Sequence, residues 1–234
     1  MPNWCDTDIR LIAKEPEKLE KFLQDYLEFD NDWEYDILKA IAAKHKDDIP
    51  CSIEDIGGRG TIYYCDNDIC HYTDSNYDFY YISFSANEAW APNLDFWNFI
   101  ANVYDLKFLY SGIEPGCEVY QTNDYDELFY GKYAVNCIDQ EWKEDFAQDE
   151  KEVLSKFESF IHEHHLETNE LFKGWDQVKS LKDLDAIIKN FYHNALASED
   201  YVEFNYYPLE IDDENVFDLS LFKRDSSLNS DICL

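Results

Sequence analysis

Basic residues are scarce in this chain. Nineteen Lys and Arg stand against fifty-one Asp and Glu, so its 234 residues carry a formal net charge of −32 at pH 7. A surface of this sign repels the phosphates of nucleic acids and the head groups of anionic lipids, and it attracts basic protein surfaces at long range. The scarcity therefore excludes direct binding to nucleic acid or to a membrane surface, and it favours a basic protein as partner.

The sequence also lacks a membrane-spanning run and an amino-terminal secretion signal. No apolar stretch approaches the roughly 18–20 residues that cross a bilayer. The chain opens with acidic residues where a signal would have basic and then apolar ones. Its seven cysteines are scattered and odd in number, which is untypical of a disulfide framework. We therefore expect a cytoplasmic protein with reduced thiols.

Motifs that would name a reaction are absent from the sequence. It contains no phosphate-binding loop, no nucleophile elbow and no dinucleotide-binding glycine fingerprint. The only glycine cluster, at residues 57–60, follows Glu54 and Asp55, whose charges oppose phosphate binding, and it predicts a turn. The sequence therefore predicts a protein that is not an enzyme and uses no cofactor.

Aromatic and apolar residues, in contrast, are plentiful. Phe, Trp and Tyr make up 17% of the chain, and hydrophobic residues make up 45%. Acidic chains that stay disordered have few aromatic residues, so this composition predicts a folded core. The length allows one large domain or two small ones.

Residues 1–138 predict a ferredoxin-like α+β domain, with an antiparallel sheet that carries its helices on one face. The polar run at residues 66–78 is expected to be a loop. The aromatic run at residues 79–85 is expected to be a central strand, because it has large side chains on both faces. Helices are expected to begin near residues 16, 33 and 92, and the further strands cover residues 7–13, 61–65, 106–111, 118–122 and 128–135.

Residues 139–234 predict a second α+β region, with two helices and a β-hairpin. One long helix is expected from residue 141 to about residue 165. A second helix is expected where Ser180 forms a cap with Asp183, three residues later. Strands are expected at residues 201–207 and 216–222, and the last ten residues are polar and expected to be loose.

Two motifs in the first region resemble a known family. Residues 1–5 (MPNWC), followed by an alternating strand, and residues 88–92 (EAWAP), just after an aromatic strand, resemble the Api-like proteins of phages and plasmids. The resemblance covers about residues 1–137. It implies a ferredoxin-like domain and a mobile-element origin, and it transfers no catalytic residues.

The chain departs from this family pattern at three positions. Thr7 stands where the family has Asn, Glu88 where it has Thr, and Asn93 where it has the second of two prolines. The residues alone favour a simple role for the two tryptophans of the motifs. Trp4 and Trp90 are predicted to be core anchors near strand ends.

Two groups of residues make a metal-dependent enzyme the alternative from a different class. On a helix, Glu158, His162 and His165 would share one flank at spacings that suit a divalent cation. Cys65, Cys70 and His71 could form half of a thiolate–imidazole site, but no second pair of ligands complements them. A solvated flank and unliganded cysteines are the expected structures, so the sequence predicts no metal site.

The acids are concentrated in one part of the chain. Residues 51–150 hold twenty acids and four bases, whereas residues 1–50 hold thirteen and seven. Duplex DNA carries about one charge per 1.7 Å of its axis, so many carboxylates on one rigid face can imitate it. The acids do not follow the EF-hand pattern for Ca²⁺. The candidate partner contacts are acids in predicted loops and turns: Asp66, Asp68, Asp74, Asp78, Asp124, Asp126 and Glu127.

We therefore expect a non-enzymatic acidic inhibitor that mimics nucleic acid and blocks a basic surface on a nuclease or another nucleic-acid-binding protein. The resemblance to phage proteins implies counter-defence in the host cytoplasm, against a CRISPR effector or a restriction enzyme. Two further alternatives stay open. One is an immunity protein that neutralises a nuclease toxin, and the other is a host-takeover or structural accessory protein with no nuclease target.

Overall fold

The computed structural model describes residues 3–29, 32–45, 53–139, 141–195 and 203–224. The chain forms two compact units. The first unit contains residues 1–123 together with residues 212–234, and the second contains residues 124–211. The first unit is therefore closed by a carboxyl-terminal segment that is distant in the sequence.

The first unit is built on an antiparallel sheet. Its strands are β1 (Trp4–Ala13), β2 (Gly60–Cys65), β3 (Cys70–Thr73), β4 (Asp78–Ala89), β5 (Lys107–Glu114) and β6 (Val119–Thr122). Its helices are α1 (Pro16–Phe29), α2 (Glu34–Lys44), the four-residue α3 (Ile53–Ile56) and α4 (Leu94–Tyr104). The strand order within this unit is β6-β5-β1-β4-β2, and β3 also pairs with β4.

The mixed α+β class predicted from the sequence is confirmed. The central position of β4 is confirmed too, because β4 pairs with β1 on one side and with β2 and β3 on the other. The order β5-β1-β4-β2, with helices between β1 and β2 and between β4 and β5, agrees with a ferredoxin-like arrangement. The ferredoxin-like assignment itself stays a prediction.

The core of the first unit lies between the helices and one face of the sheet. Phe84 of β4 is fully buried there, and its ring centroid lies 5.7 Å from that of Phe22, 5.5 Å from that of Tyr26 and 5.8 Å from that of Trp97. These partners come from α1 and α4, so one strand position anchors two helices. Burial of each such ring contributes roughly 1.5–3 kcal/mol to stability.

The loop predicted at residues 66–78 is partly wrong, because it contains β3 and the turn that joins β3 to β4. Asp74 closes this turn, since its Oδ1 accepts hydrogen bonds from the backbone amides of Asn76 (2.7 Å) and Tyr77 (2.6 Å). The Tyr72 ring stacks on the Phe79 ring across the hairpin, with 4.9 Å between centroids. Aspartate turn chemistry and a cross-strand aromatic pair make this polar run a hairpin.

The second unit has its own small sheet and helices. Its strands are β7 (Tyr133–Asp139), β8 (Glu141–Ala147), β9 (Glu203–Pro208) and the two-residue β10 (Glu210–Ile211), and its helices are α5 (Glu150–Glu163) and α6 (Leu181–Ala195). The three-stranded sheet has the order β8-β7-β9. Its core includes Phe157, Phe160, Phe172 and Phe204, each at most 2% exposed.

The long helix predicted from residue 141 to about residue 165 is wrong. Its first part is β8, paired with β7 throughout, and only its second part is helical, as α5. Asp149 separates the two parts, because its Oδ1 caps α5 by accepting the amide of Glu152 at 2.8 Å. Glu152 Oε2 in turn accepts the amide of Gln148 at 2.8 Å, which completes a capping box.

The predicted domain boundary near residue 138 falls inside β7, which belongs with β8 and β9. The strand predicted at residues 128–135 begins at Tyr133 and continues to Asp139. The predicted cap of α6 is confirmed, since Ser180 Oγ accepts the amide of Asp183 at 3.2 Å. The two units therefore divide where the pairing partners change, rather than where the composition changes.

The strand predicted at residues 216–222 is wrong. Leu219–Phe222 is a short 3₁₀ helix, and its Phe222 ring meets the Phe79 ring with 5.7 Å between centroids. The Asp218 side chain caps this helix, accepting the amide of Ser220 at 2.9 Å. Residues 201–202 and the ten terminal residues that were expected to be loose lie outside the described residues.

None of the helices in the described part of the chain combines the length and the apolar character needed to cross a bilayer. The longest of them, α6, has 15 residues, fewer than the roughly 20 that a spanning helix requires.

A buried aspartate joins three helices of the first unit. Asp25 of α1 is 5% exposed and accepts hydrogen bonds from Tyr104 Oη of α4 (2.9 Å) and Lys44 Nζ at the end of α2 (2.6 Å). His45 Nε2 lies 2.9 Å from the same carboxylate. Burial alone would raise the pKa of Asp25, but these three hydrogen bonds outweigh it, so the pKa lies below its ordinary value.

We predict that Asp25→Ala lowers the free energy of unfolding by about 2–3 kcal/mol at pH 7, because buried donors lose a charged acceptor. Urea denaturation measures this loss. Gln24→Ala, on the exposed side of the same helix, is the control and should change stability by less than about 0.5 kcal/mol.

The difference between wild type and Asp25→Ala should depend on pH in one direction. A lowered folded-state pKa gives stabilisation that is complete above the ordinary carboxyl pKa of about 3.9 and is lost as pH falls through the lower folded-state value. The two curves should therefore converge in acid, and a difference that grows on acidification would contradict this assignment.

Candidate functional site

Six exposed aromatic side chains gather in the first unit. They make up six of the eleven large hydrophobic residues that are exposed in the described part of the chain. Exposed large rings that cluster in this way mark interaction surfaces, whereas single ones need no explanation. We call this group the aromatic rim, and it consists of Trp4 (47% exposed), Trp33 (57%), Tyr35 (43%), Tyr63 (58%), Tyr64 (50%) and Trp90 (52%).

Backbone pairing brings the tryptophans of the rim together at one end of the sheet. Trp4 lies opposite Ala89 in the β1–β4 pair, and the amide of Trp90 donates to the carbonyl of Asn3 at 2.9 Å. Trp33 forms an isolated bridge with Thr61 of β2. The rim therefore follows the joined ends of β1 and β4 and continues along β2.

Trp4 and Trp90 are not the core anchors that the sequence predicts. In β1, the alternate residues Cys5 and Thr7 take the buried positions, so Trp4 lies on the opposite face. Trp90 follows the end of β4 with a positive φ of 68°, a backbone region that bulky residues rarely occupy. The preference of tryptophan for burial is overridden at both positions by the register of the strands.

A pair of buried carboxyl groups lies beneath the rim. Glu34 and Glu88 are both 0% exposed. Glu34 Oε2 accepts the amide of Arg59 (2.9 Å) and the Nδ2 of Asn93 (2.6 Å). Glu88 accepts the indole Nε1–H of Trp97 at 2.9 Å, and it accepts the hydroxyl of Thr7 at 2.5 Å.

The two carboxyl groups interact, and the effect is seen in the pKa of Glu88. Burial raises the pKa of Glu88 well above its ordinary value, and the hydrogen bond to Glu34 and its charge raise it further. Protonated Glu88 can then donate to Glu34, whose Oε1 has no other hydrogen-bond partner among the described residues. The raised pKa of Glu88 favours its neutral form, which lowers the cost of burying two acids side by side.

This pair positions the rim. Glu34 lies between Trp33 and Tyr35 in the chain, and Glu88 lies two residues before Trp90. The close approach also requires glycine, because a Cβ at Gly60 would lie only 2.7 Å from Glu34 Oε1. The pair is enclosed and has no exposure to substrate, so we assign it a structural role.

The sequence analysis missed both carboxyl groups as part of a site. One signal could have found Glu88, since it shares its side of β4 with Phe84 and Ala86, which are fully buried. Strand parity therefore places its carboxylate in the core. Glu34, the first residue of α2, carries no comparable signal.

The four predicted partner contacts of the first unit differ in availability. Asp68 is exposed and Asp66 is half-buried, and neither carboxylate accepts a hydrogen bond from the described residues. Asp74 closes the β3–β4 turn, and its pKa is lowered by the amides of Tyr77 and Asn76. Asp78 lies 2.7 Å from His71 Nε2, and this hydrogen bond lowers its pKa. Only Asp66 and Asp68 can offer unengaged carboxylates.

The predicted contacts of the second unit include one that is wrong. Asp124 is 0% exposed, and its carboxylate accepts the amides of Leu128 (3.0 Å), Phe129 (2.7 Å) and Tyr130 (2.9 Å). Burial raises its pKa, although these hydrogen bonds oppose the rise. Asp124 therefore holds a turn and cannot face a partner.

The other two contacts of that loop remain at the surface. Asp126 is exposed, and Glu127 is half-buried with its Oε1 3.4 Å from Lys132 Nζ. They belong to the second unit, whereas Asp66 and Asp68 belong to the first. The predicted partner contacts are therefore divided between the two units.

The candidate metal ligands do not converge. The helix α5 ends at Glu163, so His165 leaves the flank that it was expected to share with His162. His162 Nδ1 lies 2.9 Å from Glu167 Oε1, and its ring meets Trp175. Within the described residues, no group of three or more His, Cys, Asp or Glu side chains is placed to hold a metal ion.

The second cysteine–histidine pair is also separated from further ligands. Cys70 and His71 are neighbours on β3, so their side chains point to opposite faces. The His71 ring stacks on the Tyr80 ring, with 4.5 Å between centroids. The Cys70 and His71 region therefore offers one exposed imidazole that is already paired with Asp78.

A cleft of about 390 Å³ in the second unit also contains side chains that can bind metal ions. Cys137 and His164 both contribute to its lining, along with Lys156. Lys156 already forms ion pairs with Asp145 and Glu152, so its positive charge is neutralised within the cleft. Carboxylates line the cleft as well, but no three of the His, Cys, Asp or Glu side chains in the described part of the chain converge closely enough to hold a metal ion.

We predict that Glu88→Gln flattens the dependence of stability on pH. With a raised folded-state pKa, wild-type folded protein holds a proton that the unfolded chain loses above about pH 4.3, so its stability falls as pH rises toward the folded-state value. Glutamine does not ionise, so this slope disappears. Denaturation from pH 5 to 8 measures the slope of the free energy of unfolding against pH. Glu20→Gln, at an exposed position, is the control. Parallel curves for wild type and Glu88→Gln would contradict the raised pKa of Glu88.

A second prediction separates a structural acid from a surface acid in one loop. Asp124→Asn should lower the free energy of unfolding by about 1–3 kcal/mol, because an amide cannot accept all three backbone hydrogen bonds. Asp126→Asn, two residues away and exposed, should change it by less than about 0.5 kcal/mol. Equal effects in urea denaturation would show that Asp124 does not hold the turn.

Comparison with known proteins adds no relatives to this picture. No protein-family model matches the chain, no curated protein matches it, and no solved structure matches it. The resemblance of residues 1–137 to the Api-like proteins therefore stays a prediction.

Proposed function

We propose that this chain is a non-enzymatic acidic protein that binds a basic, nucleic-acid-handling surface of another protein and blocks it. The observation that carries the proposal is the aromatic rim, set in a chain with a net charge of −32. A charged surface that only keeps a protein soluble has no use for six exposed rings in one unit, three of which backbone pairing brings to one end of the sheet. Aromatic anchors surrounded by charge are typical of protein interfaces.

Carboxylates accompany the rim. Tyr63 and Tyr64 precede Asp66 and Asp68 on β2 and the segment that follows it, and Asp32 next to Trp33 is exposed. Arg59 is the single base among residues 53–78. β2 and the segment that follows it therefore carry exposed rings and acids within a few residues of one another.

The lysines of the chain do not offset this charge at a distance. Several are held in local ion pairs with carboxylates, so each neutralises an adjacent acid and leaves the remaining acids in excess. These lysines are Lys18, Lys39, Lys44, Lys132, Lys156 and Lys173. The surplus negative charge then attracts a basic partner over long range and speeds association.

The setting of this function follows from the resemblance to mobile-element proteins. A phage or plasmid benefits from a protein that occupies the DNA-binding surface of a CRISPR effector or a restriction enzyme. The partner is a protein and not nucleic acid, because the charge repels phosphates. An immunity protein for a nuclease toxin would use the same physics, and only the identity of the target separates the two.

The proposal is tested with three purified nucleases: a CRISPR effector, a restriction endonuclease and a DNase toxin domain. We expect the protein to inhibit DNA cleavage by at least one of them, in competition with DNA. The inhibition should weaken between roughly 50 and 200 mM salt, because opposite charges are screened. Inhibition of the toxin alone would assign the immunity role.

Two sets of variants separate the contribution of the aromatic contacts, which slow dissociation, from that of the negative charge, which speeds association. Tyr64→Ala should weaken inhibition about tenfold through faster dissociation, and Tyr125→Ala in the second unit, which removes an even more exposed ring, should not. Asp66→Asn with Asp68→Asn should slow association, whereas Glu163→Gln with Asp176→Asn removes the same charge elsewhere and should have little effect. Failure to inhibit any of the three nucleases, or inhibition that does not respond to salt, contradicts the proposed function.

A further inference from the structure

A half-buried carboxylate lies next to the tryptophan end of the rim. Asp6 follows Trp4 by two residues in β1, so both side chains lie on the sheet face opposite the buried Cys5 and Thr7. Its carboxylate takes part in no hydrogen bond or ion pair with the described residues. Asp8, the next acid on the same face, differs because it accepts the Ser85 hydroxyl at 2.7 Å.

The surroundings of Asp6 favour a cation. Burial raises the pKa of Asp6 to about 6, and the charge of Asp8 adds to the rise. The positions opposite Asp6 are Asn87 on β4 and Ile113 on β5, and neither supplies a positive charge. A partly desolvated carboxylate without a counter-charge is stabilised when a cation binds beside it.

Two exposed tryptophans lie near Asp6 along the paired backbones, Trp4 on the same face of β1 and Trp90 just after β4, the strand paired with β1. Trp4 is 47% exposed and Trp90 is 52% exposed, and the backbone hydrogen bond between Trp90 and Asn3 keeps their positions adjacent. Trp90 holds a left-handed backbone, with φ of 68°, where glycine would be relaxed. Stability alone would not select a bulky residue here, so the exposed indole needs another explanation.

We propose that Trp4, Asp6 and Trp90 form a subsite that receives an arginine side chain of the basic partner. The subsite deepens the proposed function and rests on it for the identity of the partner as a basic protein. A guanidinium group offers a donor fork to a carboxylate and a flat face to an indole ring, and it is weakly hydrated. A lysine ammonium offers a point charge and gives up a stronger hydration shell.

The other occupants of an exposed aromatic pair fit less well. A second copy of this chain would bring a net charge of −32 against the same charge, which opposes association. An anionic ligand would meet Asp6 and Asp8. The charge of the site therefore selects a cationic side chain from another protein.

The test uses the full chain with two peptides of equal charge, tetra-arginine and tetra-lysine, at the same ionic strength. Calorimetric titration should give at least about threefold tighter binding of tetra-arginine. The indole Nε1–H signals of Trp4 and Trp90 should shift in NMR spectra during the arginine titration. Equal affinities for the two peptides, or unshifted signals from both indoles, would overturn the subsite.

Variants separate the subsite from general charge attraction. Trp4→Ala, Trp90→Ala and Asp6→Asn should each abolish the preference for arginine. Glu20→Gln removes the same charge elsewhere in the first unit and should leave the preference unchanged, as should Tyr125→Ala. A preference that survives Asp6→Asn contradicts the role of this carboxylate.

Trp90→Gly tests whether a lost preference for arginine comes from loss of the fold. Glycine relaxes the left-handed backbone, so the thermal midpoint should stay equal or rise while the arginine preference is lost. A lower midpoint together with an unchanged preference would assign Trp90 to packing and overturn its role in the subsite.

The pH dependence of tetra-arginine binding supplies an independent readout. Affinity should fall as pH drops through about 6, because Asp6 gains a proton, and Asp6→Asn should remove this fall. Asp8 is the neighbouring titratable group on β1, while Asn87 and Ile113 on the flanking strands do not titrate. A pH profile that is the same in wild type and Asp6→Asn contradicts the proposal.

The subsite and the proposed function can fail separately. Arginine selectivity in the peptide titrations without inhibition of any nuclease would reject the proposed function and keep the subsite. Nuclease inhibition that is unchanged by Trp4→Ala and Trp90→Ala would keep the function and reject the subsite.

Discussion

The packing of two buried glutamates against each other is the interaction on which the first unit's surface depends. Glu34 and Glu88 bring together the start of α2 and the end of β4, and Asn93 at the start of α4 joins them through Glu34. If both carboxyl groups were charged, their repulsion and desolvation would open this junction. Because the raised pKa of Glu88 favours its neutral form, the pair holds Trp33, Tyr35 and Trp90 in place around the junction.

The acids of this chain have two roles, as buried hydrogen-bond acceptors and as surface charges. Asp25, Glu34, Glu88 and Asp124 are each at most 5% exposed and serve as acceptors for backbone and side-chain donors within the units. Surface acids such as Asp68 accept no such hydrogen bonds and are available to a partner. The formal charge of −32 therefore overstates what a partner meets, because some acids are enclosed and the raised pKa of Glu88 favours its neutral form.

Local patterns predicted the elements whose signal lies within a few residues. The alternation of β1, the apolar stripe of α1 and the aromatic run of β4 all appear close to their predicted positions. The failures are elements defined by a distant partner. Residues 141–147 carry a pattern that suits a helix, yet they pair with β7, and residues 70–73 form a strand because β4 lies beside them.

The sequence predicted the chemical character of the candidate site, and it did not predict which residues are exposed there. Composition and charge by themselves determined that the chain is strongly acidic and that the core is rich in aromatic residues, because these properties are sums over residues; the basic partner they favour stays a prediction. Tertiary structure decided which residues act, since strand register exposes Trp4 and Trp90 and encloses Asp124. Register and burial depend on pairing between segments far apart in the chain, and no local pattern contains that information.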